Sequence, residues 1–171
     1  ILSRVLLAKS EVRRALERAT HDRGEASARV YAAELAGALA QRRDDLVGAK
    51  VDAGWDEPSF SYVIVLRDDL TVAAKRLAHV HRGTAEEAIS AHTSRGFGPA
   101  FSWGDDVAFT RPVTAVVTGA GGERDERNVG YVLLGLSAAP LNERIADVRN
   151  AIVLLLLGGG VVLGGLVHLF V

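Results

Sequence analysis

The stretch Ala151 to Val171 reads AIVLLLLGGGVVLGGLVHLFV and carries no Asp, Glu, Lys or Arg. As a helix rising 1.5 Å per residue, a run of this length spans about 30 Å, the thickness of a bilayer's hydrocarbon core. The competing reading is a buried core helix. A domain this small cannot wrap such a helix on every side, so a transmembrane helix over 151–171 is expected. Its C-terminal position excludes a secretory signal peptide. Gly160 and Gly164 stand four apart, a spacing that allows close approach of two membrane helices. His168 reads as an interface residue.

Setting this segment aside changes the character of the rest. All 20 Lys and Arg and all 21 Asp and Glu fall in residues 1–149, so residues 1–150 form a charged, water-facing body. The near balance of charge argues against a nucleic-acid binder, which carries a basic excess. The 171 residues leave room for one ordinary domain with a core. With 49% apolar and 24% charged residues, a disordered or collagen-like chain is excluded. There is no Cys, hence no disulfide frame, thiolate metal site or Cys nucleophile. The absence of Met and the start at Ile1 read as a piece of a longer protein.

Residues 1–50 are expected to form one long N-terminal helix with a seam for dimerisation. There is no Pro before Pro58, and every seventh residue from Val5 is apolar: Val12, Ala19, Ala26, Ala33, Ala40 and Val47. Such a period marks a seam toward another helix. The same stripe could instead lie on the chain's own sheet. Gly24 and Gly37 are candidate bends, and Gly48 to Ser59 reads as a break.

Residues 51–138 hold the sheet. Phe60 to Leu66 (FSYVIVL) is β-branched and aromatic, a strand pattern. Arg67-Asp68-Asp69 reads as a turn into a second strand from Leu70. Thr84 stands three residues before Glu87, the spacing of a capping box, so a short helix is expected over Thr84 to Thr93. Ala100 to Trp103, Val107 to Val117 and Val129 to Ser137 are three more strand candidates. Gly119 to Asn128 reads as a flexible polar loop. Leu141 to Asn150, in the juxtamembrane segment 139–150, is amphipathic and runs into the membrane segment without a break. The order predicts an α+β fold, a long N-terminal helix packed on a five-stranded antiparallel sheet with helices on one side.

This layout resembles the single Cache-type extracytoplasmic sensor domains of bacterial transmembrane receptors, with their PAS-like sheet. The likeness rests on the long helix from Val5 to Val47, the hairpin SYVIVLRDDLTVAA, and the segment FTRPVTAV followed by GYVLLGLSAAPLNERIADVRN. The direct run into a membrane span completes it. The turn Asp68-Asp69-Leu70 departs from the family's common Gly after Asp. The resemblance implies a homodimer in the bacterial inner membrane, with residues 1–150 in the periplasm. It also implies a small-molecule ligand whose binding shifts the final helix toward a cytoplasmic output. The alternative is a membrane-anchored extracytoplasmic interaction or structural module with no small ligand.

Candidate ligand-binding residues are Tyr62, Phe101, Trp103, Phe109, Arg111 and Tyr131. Arg111 has the bidentate fork for a carboxylate, and the aromatics could cage a ligand; aromatics on strands are otherwise core. His79 and His81 would share one face of a strand and offer a possible metal pair, with His92 or a carboxylate as third ligand. Two surface histidines are the plainer explanation. Gly119-Ala120-Gly121-Gly122 lacks the strand-then-helix context of a dinucleotide loop and reads as a hairpin connection. No nucleophile-elbow motif appears, and Asp56-Glu57 and Asp105-Asp106 read as turn formers, so no enzyme and no cofactor are expected.

Overall fold

The computed structural model of the chain describes residues 2–55, 59–78, 83–118 and 122–137. The segments 139–150 and 151–171, expected as juxtamembrane and transmembrane helices, and His79 and His81 lie outside the described residues. Among the described residues no helix is long and apolar enough to cross a membrane.

Two helices open the chain, α1 (Leu2–Ala40) and α2 (Asp44–Ala53). The single helix expected over 1–50 is therefore broken, and Gly48 lies inside α2 rather than at a break. Arg42 takes the left-handed φ of 54°, and Arg43 N–H donates back to the Ala38 carbonyl at 2.9 Å. The chain turns here because Val47 and Val51, one helical turn apart, must reach the core that α1 already covers. Asp44 and Asp45 begin α2, where acidic residues complement the helix dipole.

The sheet contains β1 (Phe60–Arg67), β2 (Val72–Leu77), β3 (Phe101–Trp103), β4 (Asp106–Thr118) and β5 (Arg124–Ser137). It is antiparallel throughout, in the order β2-β1-β5-β4-β3. The β1–β2 turn is closed by Asp69, whose Oδ1 accepts from the Thr71 backbone N–H at 3.0 Å. Leu70 holds the left-handed conformation (φ 64°). Helix α3 (Ala85–Ser94) joins β2 to β3, and its capping box between Thr84 and Glu87 is complete.

Helices cover both faces of the sheet, not one side as expected. Tyr31, Leu35 and Leu39 of α1, with Val47 and Val51 of α2, pack on Val63, Val65, Phe109, Val132 and Leu134. Ala85 and Ala88 of α3 pack on Tyr62, Ile64, Leu66 and Leu133 from the other side. This double cover explains why β1 and the second half of β5 are continuous apolar runs, without alternation. A register shift between Phe60 and Tyr62 puts Phe60 on the α1 face and Tyr62 on the α3 face, although they are two apart.

Gly24 is not a bend. A Cβ there would lie 2.2 Å from the Phe109 ring, so α1 comes close to β4 only because this position has no side chain. Residues 124–128, expected as loop, are strand: Thr114 to Thr118 pair with Asn128 to Arg124. The Gly-rich stretch between them thus joins two antiparallel strands, as a hairpin connection does.

Candidate functional site

A row of four residues crosses the sheet on the α3 face. Tyr62 of β1 pairs with Gly135 of β5, Gly135 with Ala108 of β4, and Ala108 with Phe101 of β3. Two small residues thus form a floor between two aromatic walls. A Cβ on Gly135 would lie 2.2 Å from the Tyr62 ring, so the glycine is what lets that ring lie across β5.

His92 of α3 fills this trough and is fully buried. Ala85, Ala88 and His92 are the buried residues of α3, spaced to share one helical face. The His92 ring meets Phe101 edge-on at 5.0 Å and Tyr62 edge-on at 6.0 Å. Trp103 meets Tyr62 edge-on at 5.7 Å. His92 Nε2 and the Tyr62 hydroxyl are hydrogen-bonded at 2.9 Å, and Nδ1 and the Thr110 hydroxyl at 2.7 Å. Both ring nitrogens are therefore engaged, one as donor and one as acceptor when the ring is neutral.

Burial holds the ring neutral. Removal from water pushes the His92 pKa down from 6.5 to about 4. Burial also raises the Tyr62 phenol above its usual range, and the nearby Asp106 charge adds to this. Asp106 accepts a hydrogen bond from Ser61 Oγ at 2.5 Å. The result is a hydroxyl–imidazole–hydroxyl chain inside an aromatic wall, tying α3 to β1 and β4. Such a chain gains from being fully satisfied and costs stability when any member is disturbed.

The rim of the site lies at the end of α3. Phe97 stacks on Tyr131 of β5, with centroids 4.4 Å apart and planes 11° apart. The Arg95 guanidinium lies over the Phe101 ring at 4.4 Å.

Of the expected ligand residues, Tyr62, Phe101, Trp103 and Tyr131 come together on the α3 face. Phe109 and Arg111 do not join them. Phe109 is buried on the α1 side, against His21 at 5.6 Å, and Arg111 faces Glu25 of α1 at 4.0 Å. Alternation along β4 sends 109 and 111 to one face and Ala108 and Thr110 to the other. His92 is already bonded through both nitrogens. Among the described residues no group of three or more His, Cys, Asp or Glu is placed to hold a metal ion. Sequence reasoning offered His92 only as a third metal ligand, and passed over Thr110, Arg95 and Phe97 as site residues. His92 carries a usable signal, a histidine at an apolar helical position.

No model of a known protein family matches this chain, and no curated protein matches it. What defines it is its architecture: an α+β unit whose five-stranded antiparallel sheet lies between helices.

Proposed function

We propose that this chain is the extracytoplasmic ligand-sensing domain of a membrane-bound bacterial receptor, and that it passes ligand binding to a cytoplasmic output through the segment after β5. The supporting observation is the trough on the α3 face. There a polar chain, Tyr62–His92–Thr110, is built into an aromatic enclosure where an all-apolar core would pack without the cost of burying polar groups. The site also touches the one strand that leads to the apolar segment. Tyr131 and Gly135 belong to β5, the central strand, and β5 ends at Ser137. A ligand that rearranges the α3 face therefore acts on the strand from which residues 139–171 continue. Coupling requires that the ligand bind two arrangements of this site with different affinity.

The test is a thermal-shift screen of the 171-residue chain in detergent micelles, against amino acids, organic acids and metal salts. Ligand at 100 times its Kd stabilises by about 2.7 kcal/mol, a rise of roughly 5–11 °C for a domain of this size. A rise with at least one class supports sensing. No rise with any class, while the chain still self-associates, removes it.

The second reading, a membrane-anchored interaction module without a small ligand, draws on α1. Ala19, Ala26, Ala33 and Ala40 all point away from the sheet, and Val30 beside them is 55% exposed. These four positions of the heptad stripe are thus free of the chain's own core, as a helix-pairing seam requires, while Val47 at its end is buried in that core. The same stripe serves the homodimer of the sensor reading, so the ligand screen separates the two.

A further inference from the structure

We propose that Phe97 is a built-in plug, occupying the place on Tyr131 that a flat aromatic carboxylate takes when it binds. The proposal rests on the sensing reading and names its ligand class.

Phe97 has φ 53°, a left-handed backbone that a side chain with a Cβ disfavours. The structure holds it there with two contacts: its N–H donates to the His92 carbonyl at 3.1 Å, and its ring stacks on Tyr131. The stack is nearly parallel, whereas the Tyr62–His92, Tyr62–Trp103 and His92–Phe101 contacts are edge-on at 84°, 81° and 69°. Edge-on pairs interlock a core. A parallel ring lying on a half-buried tyrosine is how a flat ligand sits on an aromatic floor.

Phe97 is flanked by Gly96, itself left-handed at φ 64°, and by Gly98. Glycine on both sides lets Phe97 swing out while α3 and β3 stay in place. Two residues before Phe97, in the same turn, stands Arg95. It is exposed, its guanidinium carbon lies over the Phe101 ring, and it has no carboxylate partner among the described residues. A guanidinium held over a ring by cation–π attraction keeps N–H donors for an anion. Phe97, the ring that covers Tyr131, and Arg95, the anion-binding group, thus lie in one turn. An aromatic carboxylate replaces one stack with another, gains an ion pair, and releases the strained backbone of Phe97.

The experiment titrates indole-3-carboxylate into the 171-residue chain in detergent micelles by calorimetry. The neutral indole-3-carboxamide is titrated alongside. Phe97→Gly and Phe97→Asn both tolerate the left-handed backbone and remove the plug. Each is expected to bind the carboxylate about tenfold tighter than the unsubstituted chain. Arg95→Gln is expected to weaken the carboxylate about tenfold and leave the carboxamide unchanged. Two plug-free variants guard against one of them failing to fold. If neither binds more tightly, or if Arg95→Gln does not discriminate the two probes, the plug is wrong. If the indole probe binds no variant while an aliphatic amino acid, another organic acid or a metal salt stabilises the chain, the plug falls and sensing stands. If nothing of any class stabilises the chain, both fall.

Discussion

The buried imidazole makes folding stability depend on pH in a defined window. His92 takes up a proton near pH 4 in the folded chain and near 6.5 when solvated. Between these values the unfolded chain holds a proton that the folded chain does not. Stability therefore rises with pH across this window, and is lost as pH falls from about 6.5 to about 4. At about 1.36 kcal/mol per pH unit the whole loss is about 3 kcal/mol, and about 2 kcal/mol of it falls between pH 7 and pH 5. The measurement is urea unfolding of the 171-residue chain in detergent micelles at pH 7 and pH 5, followed by the fluorescence of Trp55 and Trp103. The comparison is His92→Gln, which cannot titrate. That variant is less stable at both pH values by about 1–3 kcal/mol, because the Tyr62 and Thr110 hydroxyls lose a partner. Its loss between pH 7 and 5 is smaller than that of the unsubstituted chain by about 2 kcal/mol. Carboxylates held below their usual range, such as Asp45 and Asp69, contribute at more acidic pH and equally to both chains. Equal losses in the two chains would refute the reasoning, since His92 would then titrate as a solvated group does.

Two glycines of α1 should respond in opposite directions. Gly24→Ala drives a methyl into the Phe109 ring and lowers stability by about 1–3 kcal/mol, whereas Gly37→Ala meets nothing within 4 Å and raises it by about 0.5–1 kcal/mol. Urea midpoints for the pair measure both. Thr84→Ala removes the N-cap of α3 and costs about 1 kcal/mol, with faster amide exchange over residues 85–88 as the local readout. Gly135→Ala lifts the Tyr62 ring off β5. It costs about 1–3 kcal/mol, and the His92 ring, followed by NMR, moves toward the solvated pKa.

Where a local signal had no competitor, the chain could be read directly. FSYVIVL is a strand because β-branched and aromatic residues leave it few alternatives, and the Thr84–Glu87 box begins α3 at the expected residue. Residues 124–128 misled because that part of β5 is exposed on both faces, so no hydrophobic alternation marks it as strand. The break at 41–43 has no Gly or Pro to announce it. It is set by Val47 and Val51 reaching a core whose sheet side lies beyond the first fifty residues. The division of the candidate site has the same origin. Alternation says that Phe109 and Arg111 share a face, and the position of α1 alone decides which face that is.

The place of β5 in the sheet has a consequence in time. Among the described residues it is the last strand in sequence and the central one in the sheet, between β1 and β4. Before it is made, the β1–β2 hairpin and the β3–β4 hairpin are two fragments with no edge in common. Their facing edges carry unpaired amides, and the floor of the His92 trough is missing because Gly135 has not arrived. A chain emerging from its N-terminus can close this core only when residue 137 is free, as the apolar segment that follows is itself being made. Folding of the domain and synthesis of that segment are thus forced into one interval. A delay in either leaves two open sheet edges exposed to pairing with another chain.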